Sequence, residues 1–239
     1  AQMIDAAAAS KPDGLVVSIA DPAALSEPVK NAVAAGIPVI VIDSGGGKLT
    51  KELGGLLYLG QSEYEAGVMA GERIKKLNVT KAVCANHEVG NVSLDDRCAG
   101  FAKGLGVDVP VLNGVMDPTE MKNRIIAHLK TNADMQFILT VGIGGAEPGL
   151  MALDELGLTG KVKIGTFDLS PTILQATADG KMEWGIDAQQ YAMGYIPVVM
   201  FDLWKKYKIA PIADYPTGPG FVTGETAASV IELAKQGKR

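Results

Sequence analysis

From Asp13 onward the chain alternates short runs of Val, Ile and Leu with longer segments whose apolar residues recur at helical spacing. The runs are GLVVSI (14–19), PVIVI (38–42), LLYLG (56–60), KAVCAN (81–86), VPVLNGV (109–115), QFILTV (136–141), KVKIGTF (161–167) and MEWGI (182–186), with a short GFV (220–222) near the end. These runs are apolar on both faces, as strands covered by helices on both sides must be. Strand and helix in alternation predict an α/β protein built on parallel sheets. After Asp187 the beat fails. AQQYAMGYIPVVMFDLWKKYK (188–208) reads as one long helical stretch, broken or kinked near Pro197, and a Pro- and Gly-rich segment, IAPIADYPTGPG (209–220), follows it. Such a late, irregular connection marks either a crossing between two lobes or a long surface loop. TGETAASVIELAKQG (223–237) reads as a terminal helix, and the opening AQMIDAAAAS as the last turns of an amphipathic one.

The corners after the strands carry helix-start chemistry. Asp21 with Pro22, Asp117 with Pro118 and Glu120, and Ser170 with Pro171 each offer a capping oxygen followed by proline at the first helical position. Ser62 with Glu65, and Ser93 with Asp96, have the spacing of a capping box. Gly67 and Gly71 share one helical face and predict a helix that approaches its sheet closely.

Composition narrows the class. At 239 residues the chain has room for one large domain or two modest lobes with real cores. Apolar residues make up 47% and charged residues 21%, a globular balance. The net charge of −5 argues against a surface built to neutralise a phosphate backbone, so nucleic acid is not expected as a partner. No uninterrupted apolar run is long enough to span a bilayer, and the first residues lack the charged and apolar regions of a signal peptide. The cysteines, Cys84 and Cys98, are too few for a disulfide scaffold; inert thiols are the default, with a bridge left open, and they say little about compartment.

In open parallel sheets ligands bind outside the carboxyl ends of the strands. The polar residues there are Asp21, Asp43 with Ser44, the loop NHEVGN (86–91), Asp117, the VGIGG corner (141–145), Asp168, and Asp187 with Gln189 and Gln190; Arg97 falls in the first turn of the helix after NHEVGN. Carboxylates accept from neighbouring hydroxyls and an arginine fork donates to two oxygens, so this recurrence suits a ligand bearing many hydroxyls. Taken singly, each acid also fits a cap or turn.

Enzyme signatures fail. GIGGAEPG follows a strand, yet Glu147 stands where the dinucleotide fingerprint needs glycine, and in DSGGGKL Lys48 is followed by Leu49 rather than by Ser or Thr. There is no G-x-S-x-G elbow and no His pair at zinc spacing, so no catalytic residue, metal or cofactor is assigned. His87, in a cleft loop, reads as a hydrogen-bonding or supporting residue rather than a general base, and His128 as exposed on a helix. Trp184 and Trp204 fall at strand and helix core positions.

PDGLVVSIADPAALSEPVKNAVAAGIPVIVIDSG, LGQSEYEAG, CANHEVGN with DDRCAGF, GTFDLSP, GIDAQQYAMGY and GPGFVT, in that order along essentially the whole chain, resemble the sugar-binding proteins of bacterial ABC transporters. The group is the ribose- and galactose-binding-like type I periplasmic binding proteins. The resemblance implies two doubly wound parallel-sheet lobes joined by crossovers and closing on a sugar. It implies lobes of residues 1–60 plus 189–220 and 61–188 plus 221–239. It also implies Asp43 with Ser44, Gln61, Asn91, Arg97, Ile143, Asp168 and Gln189 as ligand-binding residues. Gly142 and Ile143 stand where many relatives have asparagine, and Ala188 where relatives have glutamine, with Gln189 next to it.

The family opens with a strand, a helix and a second strand before the helix that ends in AQMID. The first lobe is therefore expected to be incomplete here, with an uncovered apolar seam along a neighbouring strand. The implied function is a receptor for a simple sugar or polyol, monomeric, periplasmic or extracytoplasmic, exported by a signal peptide in the parent protein and docking on a membrane permease. The alternatives that share these features are the effector-binding core of a lac-repressor-like regulator and, further off, an enzyme using the GIGG corner.

Overall fold

A computed structural model describes residues 1–209 and 211–239; the Pro- and Gly-rich segment read at 209–220 includes residue 210, which lies outside them. In chain order the elements are α1 (Gln2–Ala9), β1 (Leu15–Val17), α2 (Pro22–Ala34), β2 (Val39–Ile42), α3 (Gly46–Glu52), β3 (Leu57–Gly60), α4 (Glu63–Lys75), β4 (Ala82–Asn86), α5 (Val92–Leu105) and β5 (Val111–Asn113). They continue as α6 (Pro118–Thr131), β6 (Phe137–Thr140), α7 (Ile143–Glu155), β7 (Lys163–Phe167), α8 (Pro171–Ala178), β8 (Trp184–Asp187), α9 (Gln190–Tyr207), β9 (Tyr215–Pro216), β10 (Gly220–Thr223) and α10 (Gly224–Lys235). Two compact units result: Ala1–Ser62 with Ala188–Gly218, and Glu63–Asp187 with Pro219–Arg239.

The first unit holds a four-stranded sheet in the order β1-β2-β3-β9, every pair parallel. Val39 and Val41 join Val17, Ile19 and Val29 on one face, while Ile40 and Leu59 meet Ala188 and Met193 on the other. That division is the period-two geometry behind a run that is apolar at every residue. β1 is an edge strand, and its Leu15 and Val16 are half-buried.

The second unit holds a six-stranded sheet, β10-β8-β7-β6-β4-β5, parallel except where β10 runs antiparallel to β8. Cys84, Phe137, Leu139, Phe167 and Trp184 pack under α4 and α5; Val83, Ala85, Ile138 and Ile164 pack under α6 and α7. Phe101, Phe137, Trp184 and Phe221 form a chain of ring contacts through the first of these layers. The proline-start caps form as expected: the N–H groups of Ala24, Glu120 and Ile173 donate to Asp21, Asp117 and Ser170 at 3.1, 2.8 and 3.1 Å.

Several expectations need correction. Asn91, not Ser93, caps α5; Ser93 sits inside the helix and its N–H donates to Asn91 Oδ1 at 3.1 Å. Gly67 and Gly71 serve a helix–helix contact rather than a helix–sheet one. A β-carbon on Gly67 would stand 2.5 Å from the Arg97 carbonyl, and one on Gly71 2.3 Å from that of Phe101. α9 runs unbroken through Pro197, and DSGGGKL, read only as a failed phosphate loop, starts α3. Trp204 is only half-buried, with Lys208 over its ring, and His128 is half-buried rather than exposed. Cys84 and Cys98 are joined in a disulfide. Among the described residues no helix is long and apolar enough to cross a membrane.

Candidate functional site

Each unit gathers polar side chains where its central strands end. In the first unit Asp43 follows β2 with φ of +60°, the left-handed region that side chains other than glycine seldom occupy. Its Oδ2 accepts from Ser18 Oγ at 3.4 Å and from Ser44 Oγ at 3.3 Å. The Tyr58 hydroxyl lies against the carbonyls of Asp43 and Gln61, clamping the two strand ends together. Ser44 and Gln61 are buried, whereas Gln189 is exposed, also left-handed at φ +58°, and donates from Nε2 to the Thr217 carbonyl at 2.6 Å.

The second unit is built around Arg97. The guanidinium projects from the second turn of α5, one turn later than the sequence implied, and is buried. Its Nε donates to Glu63 Oε2 at 2.6 Å and its Nη1 to the Val141 carbonyl at 2.7 Å. Nη1 also lies 3.5 Å from Asp168 Oδ2, and the guanidinium carbon stands 4.5 Å above the Phe167 ring. A fork held on so many sides is pre-aimed, so little side-chain entropy is left to lose on binding. Asp168 follows β7 at φ +66°, half-buried. At the end of β8, Asp187 is buried and ion-paired with Arg239 Nη2 at 2.7 Å.

His87, just past β4, is 9% exposed and packs on the Gly142–Gly144 corner. Burial lowers its pKa below the usual 6.5; Glu88 pulls it up and Arg97 pushes it down. Ile143, the first residue of α7, is exposed beside this corner. Asn91 is occupied as the cap of α5, its Nδ2 donating to Glu88 Oε2 at 3.2 Å.

The structure thus gathers Asp43 with Ser44 in one unit, and Arg97 with Asp168 and the Gly142–Ile143 corner in the other. Sequence reasoning missed Glu63. Its only signal was an acid in the first turn of a helix, which reads equally well as dipole complementation. Among the described residues no group of three or more His, Cys, Asp or Glu side chains is placed to hold a metal ion.

With this arrangement in hand, residues 1–205 match the family described as periplasmic binding protein domain. The chain belongs to that family. Among curated proteins it is 27% identical, over 92% of its length, to the xylose/arabinose-binding protein XylF of Sulfolobus acidocaldarius, and it spans 59% of that relative's length. Among solved structures it is similar to a carbohydrate transporter from Acidothermus cellulolyticus in complex with myo-inositol. That likeness has 32% identity and a TM-score of 0.93, over 100% of this chain and 83% of the other. A solute-binding protein from Burkholderia graminis in complex with D-arabinose, at 24% identity and TM-score 0.84 over 94% of this chain and 80% of the other, shares the fold. These relatives are named as binding and transport proteins, and the α/β architecture with parallel sheets is the type I periplasmic binding protein fold.

Proposed function

We propose that this protein is the solute receptor of an ABC transporter, taking up a simple sugar or polyol and delivering it to a membrane permease without chemical change. The observation that carries the reading is that Asp43 and Asp168, one in each unit, hold equivalent backbone positions. Each follows a central strand, β2 or β7, and each is held in the left-handed region. Backbone strain of this kind persists where the surrounding structure over-determines it, and it clusters at ligand-binding positions. An ionised carboxylate only accepts hydrogen bonds, so the two acids select hydroxyl-rich neutral ligands over anions.

Around them the roles divide. Arg97 donates to sugar oxygens and Gln189 supplies an amide, while Ile143 offers an apolar face. Ser44 orients Asp43, Gln61 supports the end of β3, and Asn91 holds the loop that leads into Arg97. The buried Cys84–Cys98 bridge fits an oxidising, extracytoplasmic compartment. The receptor acts as a monomer, with lobes close to residues 1–60 plus 189–220 and 61–188 plus 221–239.

Calorimetric titration with D-xylose, L-arabinose, D-arabinose, D-allose and myo-inositol tests the reading. Saturable binding of at least one is expected, weakened about 10-fold or more by Asp168→Asn. Absence of binding by all five at millimolar concentration would overturn it.

A further inference from the structure

We propose that His87 is a ligand-contacting, specificity-determining residue, whose Nε2–H donates to the sugar hydroxyl next to the one that Asp168 accepts from. The inference rests on the sugar-binding reading and goes beyond it by assigning a donor and a diol.

Strand order places β6 between β4 and β7, so His87 and Asp168 end the two strands that flank the Gly142 corner. A β-carbon on Gly142 would stand 2.8 Å from His87 Cε1, 3.2 Å from Asp168 Oδ2 and 3.5 Å from His87 Nε2. One on Gly144 would stand 2.7 Å from His87 Cδ2 and 3.2 Å from Nε2. The imidazole therefore occupies the room that two glycines leave, and its Nε2 edge and the Asp168 carboxylate converge on one point.

The other ring nitrogen fixes the tautomer. Nδ1 is buried and has no hydrogen-bond partner among the described residues. A buried N–H without an acceptor is the costlier of the two orphans, so the single proton of the neutral ring belongs on Nε2. Protonating the ring would place a second N–H at Nδ1, with no acceptor among the described residues, within the electrostatic reach of the Arg97 guanidinium. Burial and that cation both work against it. At neutral pH the corner therefore presents one donor, Nε2–H, beside one acceptor-only group, Asp168. A hydroxyl that donates to the carboxylate while its neighbour accepts from the imidazole satisfies both. The chemical class is a vicinal diol of a sugar or cyclitol.

The test is calorimetry on the protein with D-xylose, L-arabinose, D-allose and myo-inositol, then with the monodeoxy analogues of the tightest binder. Wild type, His87→Ala and His87→Gln are compared, each checked by circular dichroism and thermal unfolding. His87→Ala is expected to weaken the tightest sugar about 10-fold or more. It should bind one deoxy analogue as well as wild type does, because that analogue lacks the hydroxyl His87 serves. His87→Gln, with an amide N–H at similar reach, should recover most of the loss, and it carries the comparison if the alanine variant fails to fold. An equal loss across the parent sugar and every analogue would mean that His87 only packs, and would overturn the proposal while leaving sugar binding intact. Failure of the wild type to bind any of these four or D-arabinose at millimolar concentration would overturn both.

Discussion

Cys98, the residue next to Arg97 on α5, is bridged to Cys84 in the middle of β4, with their Cα atoms 5.7 Å apart. The bridge ties the helix that aims Arg97 to the strand that ends in His87, and it lies wholly within the core. With a sequence separation of 14, it removes unfolded-state entropy equivalent to about 3 kcal/mol. The double variant Cys84→Ala/Cys98→Ala is expected to unfold in urea at a lower midpoint, with a loss of about 2–3 kcal/mol. Native protein should show no thiol reactive to Ellman's reagent until it is both reduced and unfolded. Equal midpoints with and without reductant would show that the bridge contributes nothing.

The contact between α4 and α5 makes a second prediction. A β-carbon on Gly100 or Gly104 would stand 2.0 Å from the carbonyl of Tyr64 or Val68, backbone atoms that cannot step aside. Gly100→Ala or Gly104→Ala must push the helices apart and should cost about 3 kcal/mol or more, or prevent folding. Gly194 is the control. It is exposed on α9 and a β-carbon there meets nothing within 4 Å, so Gly194→Ala should stabilise by about 0.5–1 kcal/mol. Thermal unfolding of the three variants checks the contrast.

These glycines also mark the limit of what was legible in the sequence. Hydrophobic periodicity located every strand of three or more residues, and the Asp-Pro and Ser-Pro corners located three helix starts, because both signals are local. The glycine face of α4 was visible, but not the helix it meets. Separation along the chain does not give separation in space, so Cys84 and Cys98 were left open, and Glu63 gave no hint that α5 would bring Arg97 to it. β9, with only Tyr215 and Pro216, is too short to carry a period. Left-handed φ at Asp43, Asp168 and Gln189 leaves no trace in an apolar pattern. The fold was therefore legible from its periods, while the site depended on conformation and long-range contact.

Arg97 and Glu63 make the third prediction. Their side chains are 4% and 5% exposed, so neither charge is compensated by solvent. Removing one partner of a buried pair leaves the other uncompensated, at a cost of about 3–5 kcal/mol. The nearby Asp168 and Val141 carbonyl blunt that for Arg97. Glu63→Ala is therefore expected at the lower end, about 3 kcal/mol, with weakened sugar binding because the fork loses one of its supports. Glu63→Gln, which retains an acceptor, should lose less on both counts. Urea unfolding and calorimetry on the same preparations would separate the two effects.

Histidine protonation sets the acid side of the stability curve. Burial lowers the pKa of both His87 and His128 below 6.5, and His128 Nε2 is buried without a partner among the described residues. As pH falls through the unfolded value, the unfolded chain takes up protons that the folded protein resists, so stability falls. The loss levels off once the folded histidines also titrate. The melting temperature should therefore decline between about pH 7 and pH 5, before most carboxylates protonate. His87→Gln and His128→Gln should each flatten the decline, and an unchanged slope in both variants would show that neither histidine titrates differently on folding.

The left-handed acids set stability against function. At φ of +60° and +66°, Asp43 and Asp168 occupy a region where glycine is unstrained and alanine is not. Replacing each with glycine and with alanine removes the same carboxylate, so the difference between the two variants isolates the backbone. The glycine variants should be more stable than the alanine ones by about 1 kcal/mol, against the usual order in which glycine costs more entropy. All four should lose sugar affinity to a similar degree, since the lost acceptor is common to them. Asp43→Gly should unfold close to wild type, because among the described residues its side chain gives up just the long hydrogen bonds from Ser18 and Ser44, at 3.4 and 3.3 Å. Alanine variants as stable as the glycine ones would show that these strand ends are not left-handed in solution.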